Sequence, residues 1–377
     1  MNGAHKPAKP LLQSIRALLD ELISYHANNQ GVGPDAYCVQ PMAHPMADAK
    51  FLTTICQCYD SGIIGKSRAI SLIRPAVARL GDQAVPLPLA KDKLIGWGLG
   101  FKWEKHGYSE KDPLLINTSI VMEALHFLFL RDLLPDSFVP LYSTAKGSLM
   151  WWAHEAVAKP PGGVDLPVYG LNKYREPILN SAAYCLSVSA RIEPGHREKM
   201  KRKMEYIVSQ YKEGAGWIYS YNNHVIDLIH QWYIIGSASR IMSIKRFEQN
   251  VRLVFGQFGN YQQFLDVAVW IPKGAEIESI DEYGLVLIRD VGSGVLALKP
   301  NPARLWSLGE MLVGLSQLCE ANPESRLWPR YAQLVINEIL NSRAMLKTEE
   351  WHFPRHAMHI AHGLAAFIAM RRKTKVI

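Results

Sequence analysis

The feature that most restricts the fold is an alternation between two kinds of helix. Helical periodicity recurs over Leu11–Asn28, Met46–Tyr59, Ser67–Leu80, Asn117–Arg131, Gly147–Ala158, Asn180–Arg191, Gly195–Tyr211, His224–Arg240, Lys245–Phe258, Ala303–Cys319, Pro329–Met345 and Arg355–Met370. Segments of Ala, Gly, Ser and apolar residues, such as Asn180–Arg191, take turns with charged ones, such as Gly195–Tyr211. A helix of small and apolar residues packs on both sides, whereas a charged face stays in water. Six antiparallel pairs closed in a circle, each with an inner and an outer member, satisfy this pattern. The expectation is therefore an all-α chain, an (α/α)6 toroid. The competing open solenoid sits poorly with the lack of a clear repeat of fixed period. The pattern breaks between Asn260 and Lys299, where Val267–Ile271 and Leu285–Arg289 are short β-type runs among Gly274, Gly284, Gly292 and Gly294. A β-containing insertion near 260–300, within one domain spanning 1–377, is expected.

Three stretches carry candidate chemistry. In Gly214–Arg240 a glycine-rich turn bearing Trp217, Tyr219 and Tyr221 runs into the helix expected from His224. His224, Asp227 and His230 are spaced i, i+3, i+6 and so share one side of that helix. An Asp beside a His orients the ring and favours imidazolium, which suits proton transfer or anion binding. In Gly96–Trp103, glycines alternating with aromatics make a poor helix but a good loop for presenting Trp97 and Trp103 to sugar faces, with Lys102 placed for a carboxylate. In Trp351–Gly363, His356, His359 and His362 again fall at i, i+3, i+6 after Arg355. No metal is expected there, because one straight helix ligates poorly through all three, and an HExxH arrangement is absent.

Two reaction classes fit these residues. A glycosidase needs a pair of carboxylates, for which Asp227 with Glu123 or Glu310 is available. A polysaccharide lyase needs a Tyr or His base and an Asn, Arg or His to neutralise a uronate carboxylate. Asn180, Tyr174, Arg175, Tyr219, Tyr221, His224, His230, Arg355 and His356 supply such a set. The expected catalytic residues are Asp227, His230, Arg355 and His356. The expected binding residues are Trp97, Lys102, Trp103, Asn117, Tyr174, Arg175, Asn180, Trp217, Tyr219, Tyr221 and His224. A non-catalytic glycan-binding protein on the same scaffold is the alternative.

The runs WGLGFKW (Trp97–Trp103), PLLINTSIVMEAL (Pro113–Leu125), NSAAYCL (Asn180–Leu186) and GWIYSYNNHVIDLIHQWYI (Gly216–Ile234) occur in that order. Together they resemble the α/α-toroid proteins encoded with bacterial capsule, exopolysaccharide and lipopolysaccharide assembly genes. Asp227 and His230 fall on the Asp and His of that family's last motif, and Asn117 and Asn180 on its two helix-start asparagines. Leu228, Gln231, Trp232 and Lys102 depart from the family pattern. The resemblance spans roughly Leu94 to Ser239 and implies a toroid working on a polysaccharide or oligosaccharide.

Charge and composition narrow the partners. The net charge is +8 and the pI about 9.1. The basic residues are scattered, so no nucleic-acid partner is expected, while the overall field favours an anionic glycan. Five dispersed cysteines lack a paired zinc-knuckle spacing and read as reduced core thiols. Neither an apolar signal core over Met1–Lys9 nor a run of about 18 apolar residues is present, so a cytoplasmic protein without a transmembrane segment is expected. A P-loop, a Rossmann glycine fingerprint and the acid motif of a terpene cyclase are also missing, and no cofactor is expected.

Overall fold

The computed structural model describes residues 9–88, 93–103, 107–160, 162–171, 175–260, 263–264, 267–273, 287–291, 294–298, 303–344 and 349–374. Its helices are α1 (Lys9–Asn28), α2 (Pro45–Asp60), α3 (Lys66–Asp82), α4 (Leu115–Leu130), α5 (Val139–His154), α6 (Leu179–Ile192), α7 (Arg197–Ser209), α8 (Leu228–Ile241), α9 (Glu248–Phe258), α10 (Leu305–Ala321), α11 (Leu327–Ala344) and α12 (Pro354–Thr374). The even-numbered helices pack in a closed circuit, α2 on α4, then α6, α8, α10, α12 and back to α2. The odd-numbered helices lie outside, α1 on α12, α3 on α2, α5 on α4, α7 on α6, α9 on α8 and α11 on α10. This is the (α/α)6 toroid that the alternation requires.

Composition explains the two rings. α6 is buried from Leu179 to Ala190 and α12 from Pro354 to Met370, whereas α7 buries only Met200, Lys203, Met204, Ile207 and Val208. Small residues set the inner spacing. A Cβ at Gly309 of α10 would lie 2.4 Å from the His359 backbone of α12, so the two helices meet backbone to backbone there. Four of the five cysteines, Cys56, Cys58, Cys185 and Cys319, are buried, and burial pushes each thiol up to about 12.

The axis of the ring is polar, and each inner helix contributes to it. Lys50 of α2 donates to Glu310 Oε2 of α10 at 2.6 Å and lies 3.3 Å from His362 Nδ1 of α12. Glu123 of α4 accepts from Arg240 of α8 at 2.8 Å, and also from Tyr184 and Arg191 of α6. Burial alone would raise the Glu123 carboxyl, but Arg240, Arg191 and Tyr184 hold it well below the usual carboxylate range. Tyr233 of α8 meets His359 Nε2 of α12 at 2.9 Å, while His359 Nδ1 donates to the Arg355 carbonyl at 2.7 Å.

Two expected boundaries move. The helix expected from His224 begins at Leu228, because Val225–Asp227 is a strand paired antiparallel with Val267–Pro272. His224 is therefore not on the helix, and the three-residue stripe reduces to Asp227 and His230. The helix expected over Gly147–Ala158 runs over Val139–His154, with Pro140 tolerated in its first turn. The β-containing insertion is present, as an antiparallel sheet ordered Leu287–Val291, Gly294–Leu298, Val267–Pro272, Val225–Asp227. Its expected glycines Gly274, Gly284 and Gly292 lie outside the described residues. Among the described residues no helix is long and apolar enough to cross a membrane.

Burial, with Lys50 adding to it, pushes His359 and His362 well below 6.5, and burial lowers His44 and His356 as well. In the unfolded chain these imidazoles protonate as pH drops through about 6.5, while in the native state they do not, so stability is lost progressively below that pH. A melting series from pH 7.5 to 4 should show the midpoint falling from about pH 6.5 downward, before the ordinary carboxylate range is reached. A flat profile down to pH 4.5 would contradict the neutral, buried histidines.

Candidate functional site

A cavity of about 270 Å³ opens at one end of the ring. Its walls include the N-terminal turns of all six inner helices: Met46 of α2, Ile116 of α4, Asn180 and Ser181 of α6, Asp227, His230 and Tyr233 of α8, Arg304 and Trp306 of α10, and Arg355 of α12. Each N-terminus presents a partial positive charge of roughly half a unit, so their convergence favours an anion. Loops complete the walls with Tyr37, Leu99, Phe101, Trp103, Tyr169, Tyr219, Asn223 and Val225.

Asp227 is the N-cap of α8, with Oδ1 accepting from the Ile229 N–H at 3.0 Å. Its Oδ2 accepts from Arg304 Nη2 at 2.6 Å, and Arg304 Nη1 donates to the Tyr37 hydroxyl at 2.9 Å. Both carboxylate oxygens of Asp227 are thus engaged. Arg355 is held by a bidentate pair with buried Asp35, at 2.8 and 2.7 Å. Burial would raise Asp35, but Arg355 and His44 override it and hold the carboxyl far below its usual range. Trp306 packs against both guanidiniums, whose carbons lie 4.8 Å (Arg304) and 4.1 Å (Arg355) from its ring centre.

His230 packs its ring on Tyr219 with centroids 4.8 Å apart. Its Nδ1 lies 3.9 Å from Asp227 Oδ1, which is too far for a hydrogen bond. Burial pushes His230 below 6.5, with Asp227 opposing and Arg304 reinforcing the shift, so its ring is neutral at physiological pH. Burial raises the Tyr219 hydroxyl well above 10. Among the described residues that line the cavity, His230 Nδ1, Asn180 Oδ1, Ser181 Oγ and Trp306 Nε1 are buried without a hydrogen-bond partner. Four such atoms around one cavity are an unmet demand that a polar ligand can satisfy.

Six of the expected site residues thus line one cavity: Trp103, Asn180, Tyr219, Asp227, His230 and Arg355. The others do not. Trp97 and Trp217 are buried structural residues whose indole N–H groups donate to the Leu80 and Val208 carbonyls. Asn117 is fully buried and donates to the Gly98 carbonyl, pinning the glycine–aromatic loop. Tyr221 donates to Tyr206, and His224 packs on Trp270 outside the cavity. His356 points away from the cavity into a contact with Glu350 at 2.8 Å, its ring stacked on Trp306. Lys102 and Arg175 are exposed and do not line the cavity, and Tyr174 lies outside the described residues. Glu123 and Glu310 are committed to the axial ion pairs and do not line the cavity beside Asp227. The histidines His356, His359 and His362 face three different partners.

Sequence reasoning missed Asp35, Tyr37, Tyr169, Tyr233, Arg304 and Trp306. Arg304 carried a usable signal, since it sits at the start of an expected inner helix, as Asn180 and Arg355 do. Tyr37 and Asp35 carried none, because their loop reaches the cavity only once α12 closes on α2.

No protein-family model and no curated protein matches the sequence. Solved structures are similar in fold. An unsaturated glucuronyl hydrolase specific for heparin superposes with a TM-score of 0.56 at 9% identity, over 98% of this chain and 98% of that one. An inactive variant of an α-1,6-mannanase of Salegentibacter sp. HEL1_6, in complex with α-1,6-mannotriose, gives 0.55 at 8% identity over 96% and 99%. A type II terpene cyclase from Scytonema gives 0.54 at 9% identity over 97% and 99%. At these identities the likeness establishes the α/α toroid, and the range of chemistries on it leaves the reaction to the site residues.

The two helix-start asparagines should separate cleanly. Asn117→Ala strands the buried Gly98 carbonyl and should cost about 1–3 kcal/mol in denaturant unfolding. Asn180→Ala should cost little stability. Equal destabilisation by both would show that Asn180 is structural and not part of the site.

Proposed function

We propose that the protein is a carbohydrate-active enzyme that binds a carboxylate-bearing sugar of a bacterial surface polysaccharide, or of its precursor, in this cavity and cleaves the chain by elimination. The observation that carries the reading is one cavity holding two guanidiniums and the amide of Asn180, whose Oδ1 lacks a partner, beside neutral His230 and protonated Tyr219. Arg304, Arg355 and the Nδ2 amide of Asn180 would donate to the uronate carboxylate, which lowers the cost of carbanion character at the adjacent carbon, while Asn180 Oδ1 would accept from a sugar hydroxyl. His230 takes the proton from that carbon, and its displaced electron pair forms the new C=C bond. The glycosidic C–O bond breaks as Tyr219 donates its proton to the leaving oxygen. Burial moves the two groups in the directions these roles need, His230 down to a free base and Tyr219 up to a retained acid. Asp227 orients Arg304 and the start of α8.

Two-carboxylate hydrolysis has less support. Among the described residues Asp227 is the only carboxylate lining the cavity, and it is engaged by Arg304. The fold similarity to a glucuronyl hydrolase and a mannanase supports a sugar ligand, and the net charge of +8 supports an anionic one.

With uronic-acid oligosaccharides as substrates, product should absorb in the ultraviolet through the C=C conjugated to the carboxylate. His230→Gln and Tyr219→Phe should each lower kcat about 10²–10⁴-fold with binding and melting temperature nearly kept. The acid limb of kcat/KM should lie below pH 6.5, because His230 is active only when neutral and burial lowers its proton affinity. Reducing-end release without ultraviolet absorbance would replace elimination by hydrolysis. Tight binding with no turnover at any pH would make the protein a glycan-binding one.

A further inference from the structure

A second cavity of about 270 Å³ adjoins the first and shares with it Trp103, Tyr169, Tyr219 and Asn223. The two chambers therefore share walls, with room for neighbouring residues of one glycan. Their electrostatics differ. Among the described residues the first chamber carries Arg304 and Arg355 with Asp227 and the neutral His230, whereas the ionisable side chains lining the second are tyrosines and the carboxylate of Glu176. Glu176 accepts from Ser220 Oγ at 3.1 Å and from Asn222 Nδ2 at 2.7 Å, both neutral donors. Its backbone carbonyl accepts from the Tyr169 N–H at 2.9 Å, so the carboxylate is fixed in place. Each carboxylate oxygen has capacity for a further hydrogen bond. Tyr108 packs edge-on to Tyr169 with ring centres 5.9 Å apart, giving this chamber an aromatic wall.

We infer that the second chamber is a subsite for an uncharged, hydroxyl- or amide-bearing sugar next to the acidic one, so that the substrate alternates acidic and neutral residues. The inference rests on the proposed function of the first chamber. Glu176 accepts hydrogen bonds from hydroxyl or N-acyl N–H groups, and it repels a second carboxylate. A homopolymer of uronates would place a like charge against it. An alternating chain places its acid on the arginines and its neutral sugar on the tyrosines.

The test uses immobilised protein under continuous flow at low salt, so that turnover does not deplete the ligand. The probes are glucuronate, a hyaluronan tetrasaccharide (alternating acidic and N-acetylated sugars) and tetragalacturonate (all acidic). The alternating tetrasaccharide should bind at least about tenfold more tightly than the homouronate. Glu176→Gln, which keeps the side-chain shape and one acceptor oxygen and removes the charge, should shrink that ratio by strengthening homouronate binding. Asn222→Ala, on the exposed rim, should weaken the alternating tetrasaccharide and leave glucuronate unchanged. Equal affinities for the two tetrasaccharides, or a ratio untouched by Glu176→Gln, would overturn the inference while leaving the first chamber intact. Binding of glucuronate but of neither tetrasaccharide would also overturn it. Failure of all three probes would sink the function proposed for the first chamber and this subsite with it.

Discussion

The structure depends on the charges buried along the ring axis. An ion taken out of water is tolerable only when a partner and further hydrogen bonds replace its hydration. Here each partner comes from a different inner helix: Glu123 of α4 needs Arg191 of α6 and Arg240 of α8, and Lys50 of α2 needs Glu310 of α10. The set is satisfied only when the circuit of inner helices is closed, so the network selects the closed ring over an open stack. Removing Lys50, Glu310 or Glu123 leaves a buried charge unpaired, at about 3–5 kcal/mol. The same network forms a rigid floor for the cavity. Tyr233 lines the cavity and meets His359, which in turn donates to the backbone of Arg355.

Much of the scaffold was legible because an inner helix must be small and apolar on every side, and α6 and α12 advertise this in composition. Legibility failed where a distant partner decided the outcome. Val225 and Ile226 continue a helical pattern locally, yet pair with Val267–Pro272 some forty residues away. That single strand turned Asp227 into an N-cap and removed His224 from the site. The glycine–aromatic loop reads as a platform of rings, but Gly98 is there because a Cβ would sit 2.4 Å from the Glu110 carbonyl. Of its two tryptophans, Trp97 faces inward to Leu80 and only Trp103 reaches the cavity. Likewise Arg355 and His356 are adjacent in sequence, and a helix turn of about 100° sends one to the cavity and the other behind Trp306.

Four of the six expected residues that line the cavity share one property. Asn180, Asp227, His230 and Arg355 lie within the first turn of an inner helix or at its cap, whereas Trp103 and Tyr219 come from loops. In a toroid those turns converge on one mouth, so a helix-start position predicts the cavity better than residue type does. Arg304 obeys the same rule. The scaffold itself is indifferent to chemistry, as its similarity to both sugar-acting enzymes and a terpene cyclase makes plain. The site of this chain holds two arginines, each engaged by a carboxylate (Asp227 for Arg304, Asp35 for Arg355), with a neutral imidazole and a phenol in the same cavity.

A crystal structure of the protein soaked with glucuronate tests most directly whether those arginines receive a sugar carboxylate. The carboxylate should lie about 3 Å from the guanidinium of Arg304 or Arg355, with sugar hydroxyls partnering Asn180 Oδ1 and His230 Nδ1. Glucuronate seated outside this cavity, or inside it with its carboxylate turned to solvent, would contradict the account.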